Sequence, residues 1–244
     1  MSKKLLVYLT AGFPTNSDFL KIVNNLDKWG VAAIEIGIPF SDPIADGPTI
    51  QKSSAVALKN KINLEKVRQL LRRVRTRAEL IVMSYFNPLN SYGLERFARD
   101  FSILGVKKVI IPDILPEEAQ EPQQIFARYG LGLIYLIAPT TPALRVQMIS
   151  RRSSGFVYVV SVRGVTGARK SFPGIKKYLR KVRRNISQPI YLGFGISSPE
   201  QIRNLKRYAD GFIVGSAIID IINSGGKWFG RLKNFIHQLS LAAR

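Results

Sequence analysis

The 244-residue chain has no cysteine, which excludes disulfides, thiolate nucleophiles and thiolate metal sites. There is one histidine, His237, near the C-terminus. A His–His metal pair and a central Ser–His couple are therefore excluded too. Acidic residues are scarce: 16 Asp and Glu stand against 37 Lys and Arg, a formal charge of +21. No run approaches 18 apolar residues, so no membrane span is expected. Met1-Ser2-Lys3-Lys4 leads directly into the run 5–9, without the long apolar region or small-residue cleavage site of a signal peptide. The expectation is a soluble protein kept where it is made, the cytoplasm or, if plastid-encoded, the stroma. Acid–base chemistry must come from carboxylates, the nine tyrosines or lysines.

Hydrophobic residues make up 46% of the chain, enough for a large core and incompatible with global disorder. The length suits one or two domains, or a single α/β barrel of about 250 residues. The positive charge makes nucleic acid, an anionic membrane or an acidic protein conceivable partners. Its densest clusters are Arg72, Arg73, Arg75 and Arg77, then Lys176, Lys177, Arg180, Lys181, Arg183 and Arg184. Each accompanies apolar residues at helical spacing (Val67, Leu70, Leu71, Val74; Ile175, Leu179, Val182). The favoured reading is the solvated outer face of a helix, with cations toward its C-terminus. A polyanion-binding surface is the other reading, and nucleic acid is not the expected partner.

Short β-rich runs recur at 5–9, 32–36, 80–84, 109–112, 132–137, 156–160, 189–192 and 211–214, with helical patterns between them. Helix starts are signalled by Asn16-Ser17-Asp18, by Asn63, and by Ser197-Ser198-Pro199-Glu200, which carries a capping box and a first-turn proline. Eight strands alternating with helices predict a parallel sheet, and eight is the number that closes a barrel. No linker or low-complexity tract divides the chain, so one domain over 1–244 is expected, with a doubly wound open sheet as the alternative.

In such a barrel the chemistry sits at the C-terminal ends of the strands. The connection after the second strand, Gly37-Ile38-Pro39-Phe40-Ser41-Asp42-Pro43-Ile44-Ala45-Asp46-Gly47-Pro48, is long and rich in proline. Just before it, Glu35 lies in the otherwise apolar Ala32-Ala33-Ile34-Glu35-Ile36. In a sheet with both faces buried, a carboxylate there must be paired, hydrogen-bonded or protonated. It reads equally as a proton-transfer group with a raised pKa or as a structural carboxylate paired with a buried cation. Asp46 reads as a loop residue near the site or as an ordinary solvated or capping acid. Asp42 fits a Ser-Asp-Pro turn, and Asp113 follows the fourth strand in position to serve a neighbour or the site. Two glycine-bearing segments, Gly193-Phe194-Gly195-Ile196-Ser197 and Gly215-Ser216-Ala217-Ile218, follow strands seven and eight and open helices. That is the recurrent phosphate-binding position of this barrel. Gly164-Val165-Thr166-Gly167 could close over a ligand.

Together these segments identify a family. The run from Glu35 through Asp46 to Gln51, with Gly164–Gly167, the segment 193–201 and Gly215–Ile218 in the same order, resembles the α subunit of tryptophan synthase along nearly the whole chain. The resemblance implies a single-domain (β/α)8 TIM barrel, with the family's N-terminal helix reduced or absent. It implies retro-aldol cleavage of indole-3-glycerol phosphate to indole and glyceraldehyde 3-phosphate. By position Glu35 resembles the general acid/base and Asp46 the second catalytic carboxylate. Gly167, Gly195, Gly215 and Ser216 resemble phosphate-binding positions, and Thr166 resembles the loop residue that closes toward the second carboxylate. Tyr8, Tyr158 and Phe194 resemble substrate-lining positions, Tyr8 adding a hydroxyl where some members have Phe.

The resemblance further implies that this chain has no metal or cofactor of its own. A β subunit carrying pyridoxal phosphate would be its partner in an αββα assembly, met by the loops that hold Asp42, Pro43 and Asp113. Val162 and Arg163 stand where members vary. The competing readings are an α-like subunit that is catalytically weak and mainly activates its partner, another phosphosugar enzyme of the barrel class, and a nucleic-acid binder.

Overall fold

In the computed structural model, which describes residues 3–160, 174–193 and 195–244, the apolar runs 5–9, 32–36 and 80–84 become β1 (Lys4–Thr10), β2 (Ala33–Gly37) and β3 (Glu79–Met83). The remaining strands are β4 (Val106–Ile110), β5 (Gly132–Ile134), β6 (Leu136–Ile137), β7 (Val157–Val160), β8 (Ile190–Gly193) and β9 (Gly211–Val214). All described pairings are parallel, and the sheet order is β5-β4-β3-β2-β1-β9-β8-β7-β6. The two ends of that order are halves of one sequence run. The run 132–137 breaks at Tyr135, so β5 pairs with β4 while β6 pairs with β7. The Tyr158 amide donates to the Tyr135 carbonyl (3.1 Å) across the break. Eight sequence runs thus give nine strand segments in a nearly closed barrel.

The fourth strand begins three residues earlier than its apolar run indicates. Lys107 and Lys108 interrupt the hydrophobic pattern, yet Lys108 pairs with Glu79 at the N-terminal end of β3.

Eleven helices in the described residues surround the sheet: α1 (Asn16–Leu26), α2 (Pro48–Lys59), α3 (Leu64–Leu71), α4 (Phe86–Tyr92), α5 (Leu94–Ile103), α6 (Gln120–Arg128), α7 (Ala143–Arg152), α8 (Ile175–Arg183), α9 (Pro199–Leu205), α10 (Ser216–Asn223) and α11 (Trp228–Ala243). The cap of α1 is Thr15, whose hydroxyl accepts from the Asp18 amide, one residue before the predicted start. Asn63 caps α3 as predicted. The capping box of α9 joins Ser198 to Gln201. Among the described residues β1 is the first element. α11 runs back to it, and the Lys3 amide donates to the Ala243 carbonyl (2.9 Å).

Apolar side chains of both sheet faces and the inner helix stripes form one core. Within it, large residues on one strand fill space left by glycine on the next. A β-carbon on Gly37 would lie 2.1 Å from the Tyr8 hydroxyl oxygen, and one on Gly193 would lie 2.3 Å from that of Tyr158. Two aromatic rings can therefore lie across the barrel interior only because β2 and β8 end in glycine.

Candidate active site

The cavity at the C-terminal mouth has about 410 Å³ of space, part of it open to solvent. It is lined by Tyr8, Glu35, Asp46, Tyr158, Gly195, Gly215 and Ser216, seven of the residues singled out in the sequence. Ile50, Met83 and Ile213 complete it as an apolar wall. Thr166, Gly167 and Phe194, with the segment Gly164–Gly167 and Val162 and Arg163, lie outside the described residues.

Glu35 points inward from β2 in register with Tyr8 of β1 and Ile81 of β3. It is 1% exposed, and neither carboxylate oxygen has a hydrogen-bond partner among the described residues. The structural alternative, a pair with a buried cation, is not what these residues form. Desolvation, reinforced by nearby Asp46, raises its pKa from the ordinary carboxylate range to about 8.

Asp46 is 7% exposed and immediately precedes Gly47, the N-cap of α2. Although it lies on a loop, its backbone is pinned. Its amide donates to the Pro43 carbonyl (3.0 Å), and Gln51 Nε2 donates to its carbonyl (2.8 Å). Thr10 and Ser53 share a hydroxyl–hydroxyl hydrogen bond of 2.6 Å that ties α2 to the end of β1. Burial raises the Asp46 pKa to about 6, a shift limited by the Tyr85 hydroxyl, which donates to Oδ2 (3.1 Å). Tyr85 also accepts from the Ala45 amide (2.9 Å), so one phenol holds both the loop and its carboxylate.

Burial thus holds on to a proton more strongly at Glu35 than at Asp46, and both acids face the same cavity. Burial also pushes the phenols of Tyr8 and Tyr158 well above their usual range, so both remain hydrogen-bond donors.

The two glycine segments have different roles. At α9 the Ser198 hydroxyl accepts from the Gln201 amide, while the Ser197 and Ser198 amides donate to Gln201 Oε1, so its own side chains use that helix start. At α10 the N-cap Gly215 offers no side chain, and the first residue, Ser216, lines the cavity. The donors suited to an anion are those of α10, with Gly195 beside them.

Tyr85 is the functional candidate that sequence reasoning missed. Its signal was present: an aromatic phenol two residues beyond the end of the third strand, at the mouth where the chemistry lies. Asp113 serves a neighbour, accepting from the Phe86 amide (2.9 Å) at the start of α4. Asp42 is exposed and Pro43 partly so, beside Ile44, which is 74% exposed. No group of acidic or histidine residues suited to a metal ion occurs among the described residues. No described helix is long and apolar enough to cross a membrane.

The family profile described as tryptophan synthase alpha chain matches residues 1–239. A tryptophan synthase alpha chain from Roseiflexus castenholzii is 43% identical over 241 residues, covering 96% of this chain and 92% of its own. One from Dehalococcoides mccartyi is 40% identical over 241 residues, covering 97% and 94%. Among solved structures, a Mycobacterium tuberculosis tryptophan synthase superposes with a TM-score of 0.92 at 32% identity, covering 100% of this chain and 93% of that one. The alpha subunit from Legionella pneumophila gives 0.89 at 31%, covering 99% and 92%. A parallel barrel carrying two unlike buried acids at one mouth, with likeness over its full length to these proteins, belongs to the tryptophan synthase alpha chain family.

Proposed function

We propose that this chain is a carbon–carbon lyase that cleaves indole-3-glycerol phosphate to indole and glyceraldehyde 3-phosphate, with Glu35 as general acid/base and Asp46 as the charge stabiliser. The observation that carries the assignment is the pair of buried acids lining one cavity, Glu35 without a hydrogen-bond partner among the described residues and Asp46 held by the Tyr85 hydroxyl. Cleavage begins with a proton delivered to indole C3, which interrupts the aromatic system and leaves positive charge on the ring nitrogen. Protonated Glu35 supplies that proton, and ionised Asp46 accepts a hydrogen bond from the indole N–H where the charge accumulates. The Glu35 carboxylate then takes the proton of the hydroxyl on the carbon attached to C3. The C–C bonding pair returns to the ring, aromaticity is restored, and the aldehyde departs. Glu35 ends protonated, so the cycle closes without an added reagent.

The phosphate is assigned to Gly195, Gly215 and Ser216 at the α10 terminus. Tyr8 and Tyr158 are assigned to the walls around the indole and glycerol parts, with Thr166, Gly167 and Phe194 completing the site. Family membership implies a β subunit partner, and we assign the pyridoxal phosphate and the αββα assembly to that contact. The exposed apolar side chains Ile44 and Leu115 (74% and 51%) flank Asp42, Pro43 and Asp113 and support docking there. The test is indole release from indole-3-glycerol phosphate, measured with and without a β subunit. Turnover that the β subunit increases is expected. Partner binding without any turnover contradicts the reading and leaves an activator subunit.

A further inference from the structure

The 37 cations are not distributed evenly. Between Val146 and Ala209 there are fourteen Lys and Arg and a single acid, Glu200. Two basic clusters show how differently cations are used. After α3, the Arg75 guanidinium donates to the carbonyls of Arg72 (2.9 Å) and Val74 (2.8 Å). There the positive charge satisfies the end of a helix, as its dipole favours. The solvated-face reading fits that cluster.

It does not fit α8. Lys176 and Lys177 occupy the first turn, where the helix dipole disfavours cations. That turn has no acid, and its N-cap, Gly174, makes no side-chain cap. Lys176–Arg180, Lys177–Lys181 and Arg180–Arg184 are like-charge pairs at i,i+4, each of them destabilising. Lys176, Lys177, Arg180, Lys181 and Arg184 are exposed, and among the described residues none of them lies within 4.0 Å of a carboxylate, whereas Arg183 pairs with Asp210. The face continues onto the next elements. Tyr208, just beyond α9, lies against Lys176 and Arg180 (6.0 and 5.7 Å from the ring centroid). Arg203 and Arg207 are exposed beside it. On the other side, Gln147 of α7 donates to Asn185 (3.3 Å).

A helix that accumulates repulsion which folding does not need is arranged for an anionic ligand. We propose that the outer face of α8, extended by Arg203 and Arg207, binds the sugar-phosphate backbone of nucleic acid without reading its sequence. Among the described residues the large exposed apolar side chains lie on other elements, which argues against membrane insertion and against a protein interface with an apolar centre. Contact by cations alone matches phosphate recognition.

The test is fluorescence anisotropy of a labelled 20-nucleotide single-stranded RNA with the whole chain, from 50 to 300 mM KCl. For a single strand log K falls with log[salt] by about 0.7 per phosphate neutralised. Binding with a slope of roughly 3 is expected. The variant K176Q/K177Q/R180Q/K181Q should remove most of that slope, keep indole release, and melt no lower than the parent because repulsion is relieved. The charge-matched variant K66Q/R72Q/R73Q/R77Q should bind like the parent. Equal weakening by both variants would mean net charge alone, and overturns the proposal. So does no binding at 100 μM protein in 50 mM KCl, or a large fall in melting temperature for the α8 variant. Binding to vesicles containing 30% phosphatidylserine without RNA binding would assign the face to a membrane instead.

Discussion

The two ends of the barrel treat their acids in opposite ways, part-exposed and paired at one, buried at the other. At the N-terminal end, Glu79 is paired with Lys108, and Asp210 is held by Lys3, Arg183 and the Ile190 amide. At the C-terminal end, Glu35 has no partner among the described residues, and Asp46 has one phenol. The same fold could have paired Glu35 with a cation, since the chain holds more than two cations for every acid. It pairs acids where they only need to be tolerated. Where one is left unpaired, desolvation converts burial into a raised pKa.

The largest way to break this contrast is Glu35→Gln. It removes the proton donor while keeping shape, and kcat should fall about 10²–10⁴-fold. The same substitution should stabilise the chain at alkaline pH. A folded pKa of about 8, above the unfolded 4.5, means the native state holds a proton that the unfolded state has lost between those values. Stability therefore falls as pH rises through that window, and melting temperatures of the variant should lose this decline.

Next comes Asp46→Asn, which removes the negative charge facing the ring nitrogen and should lower kcat about 10²–10³-fold with little change in KM. Tyr85→Phe should cost about tenfold. Because the lost hydrogen bond favours ionised Asp46, the acidic limb of the kcat–pH profile should move above its expected position near 6. A Tyr85→Phe enzyme with lower kcat and an unmoved limb would separate Tyr85 from Asp46.

Lys108→Met gives the smallest catalytic effect. It leaves Glu79 without its partner, so it should lower the melting temperature by a few degrees, about 2–4 °C per kcal/mol for a chain this size. Indole release at 25 °C should be unchanged. Loss of turnover without loss of stability would show that the two mouths are not separate.

Much of this contrast was legible before any coordinates. A charged residue in an apolar strand marks Glu35, and eight β-rich runs separated by helical patterns mark the barrel. Other features depend on three-dimensional neighbours. Nothing in the sequence around Lys107 and Lys108 shows that Glu79 waits across the sheet, so the fourth strand is misplaced by pattern alone. The break at Tyr135 is a consequence of closing the barrel, not of a local signal. Asp46 reads as an ordinary loop acid because its burial and its Tyr85 hydrogen bond come from residues nearly forty positions away. The two glycine segments look alike until Gln201 is seen occupying one of them.

The most direct test of the central claim is a ¹³C NMR titration of the side-chain carboxyl carbons of Glu35 and Asp46 in the uncomplexed chain, assigned with Glu35→Gln and Asp46→Asn. Titration of Glu35 near pH 8 and of Asp46 near pH 6 is the predicted result. Both carboxyls titrating near pH 4, or Asp46 titrating above Glu35, would contradict the assignment of acid and charge stabiliser.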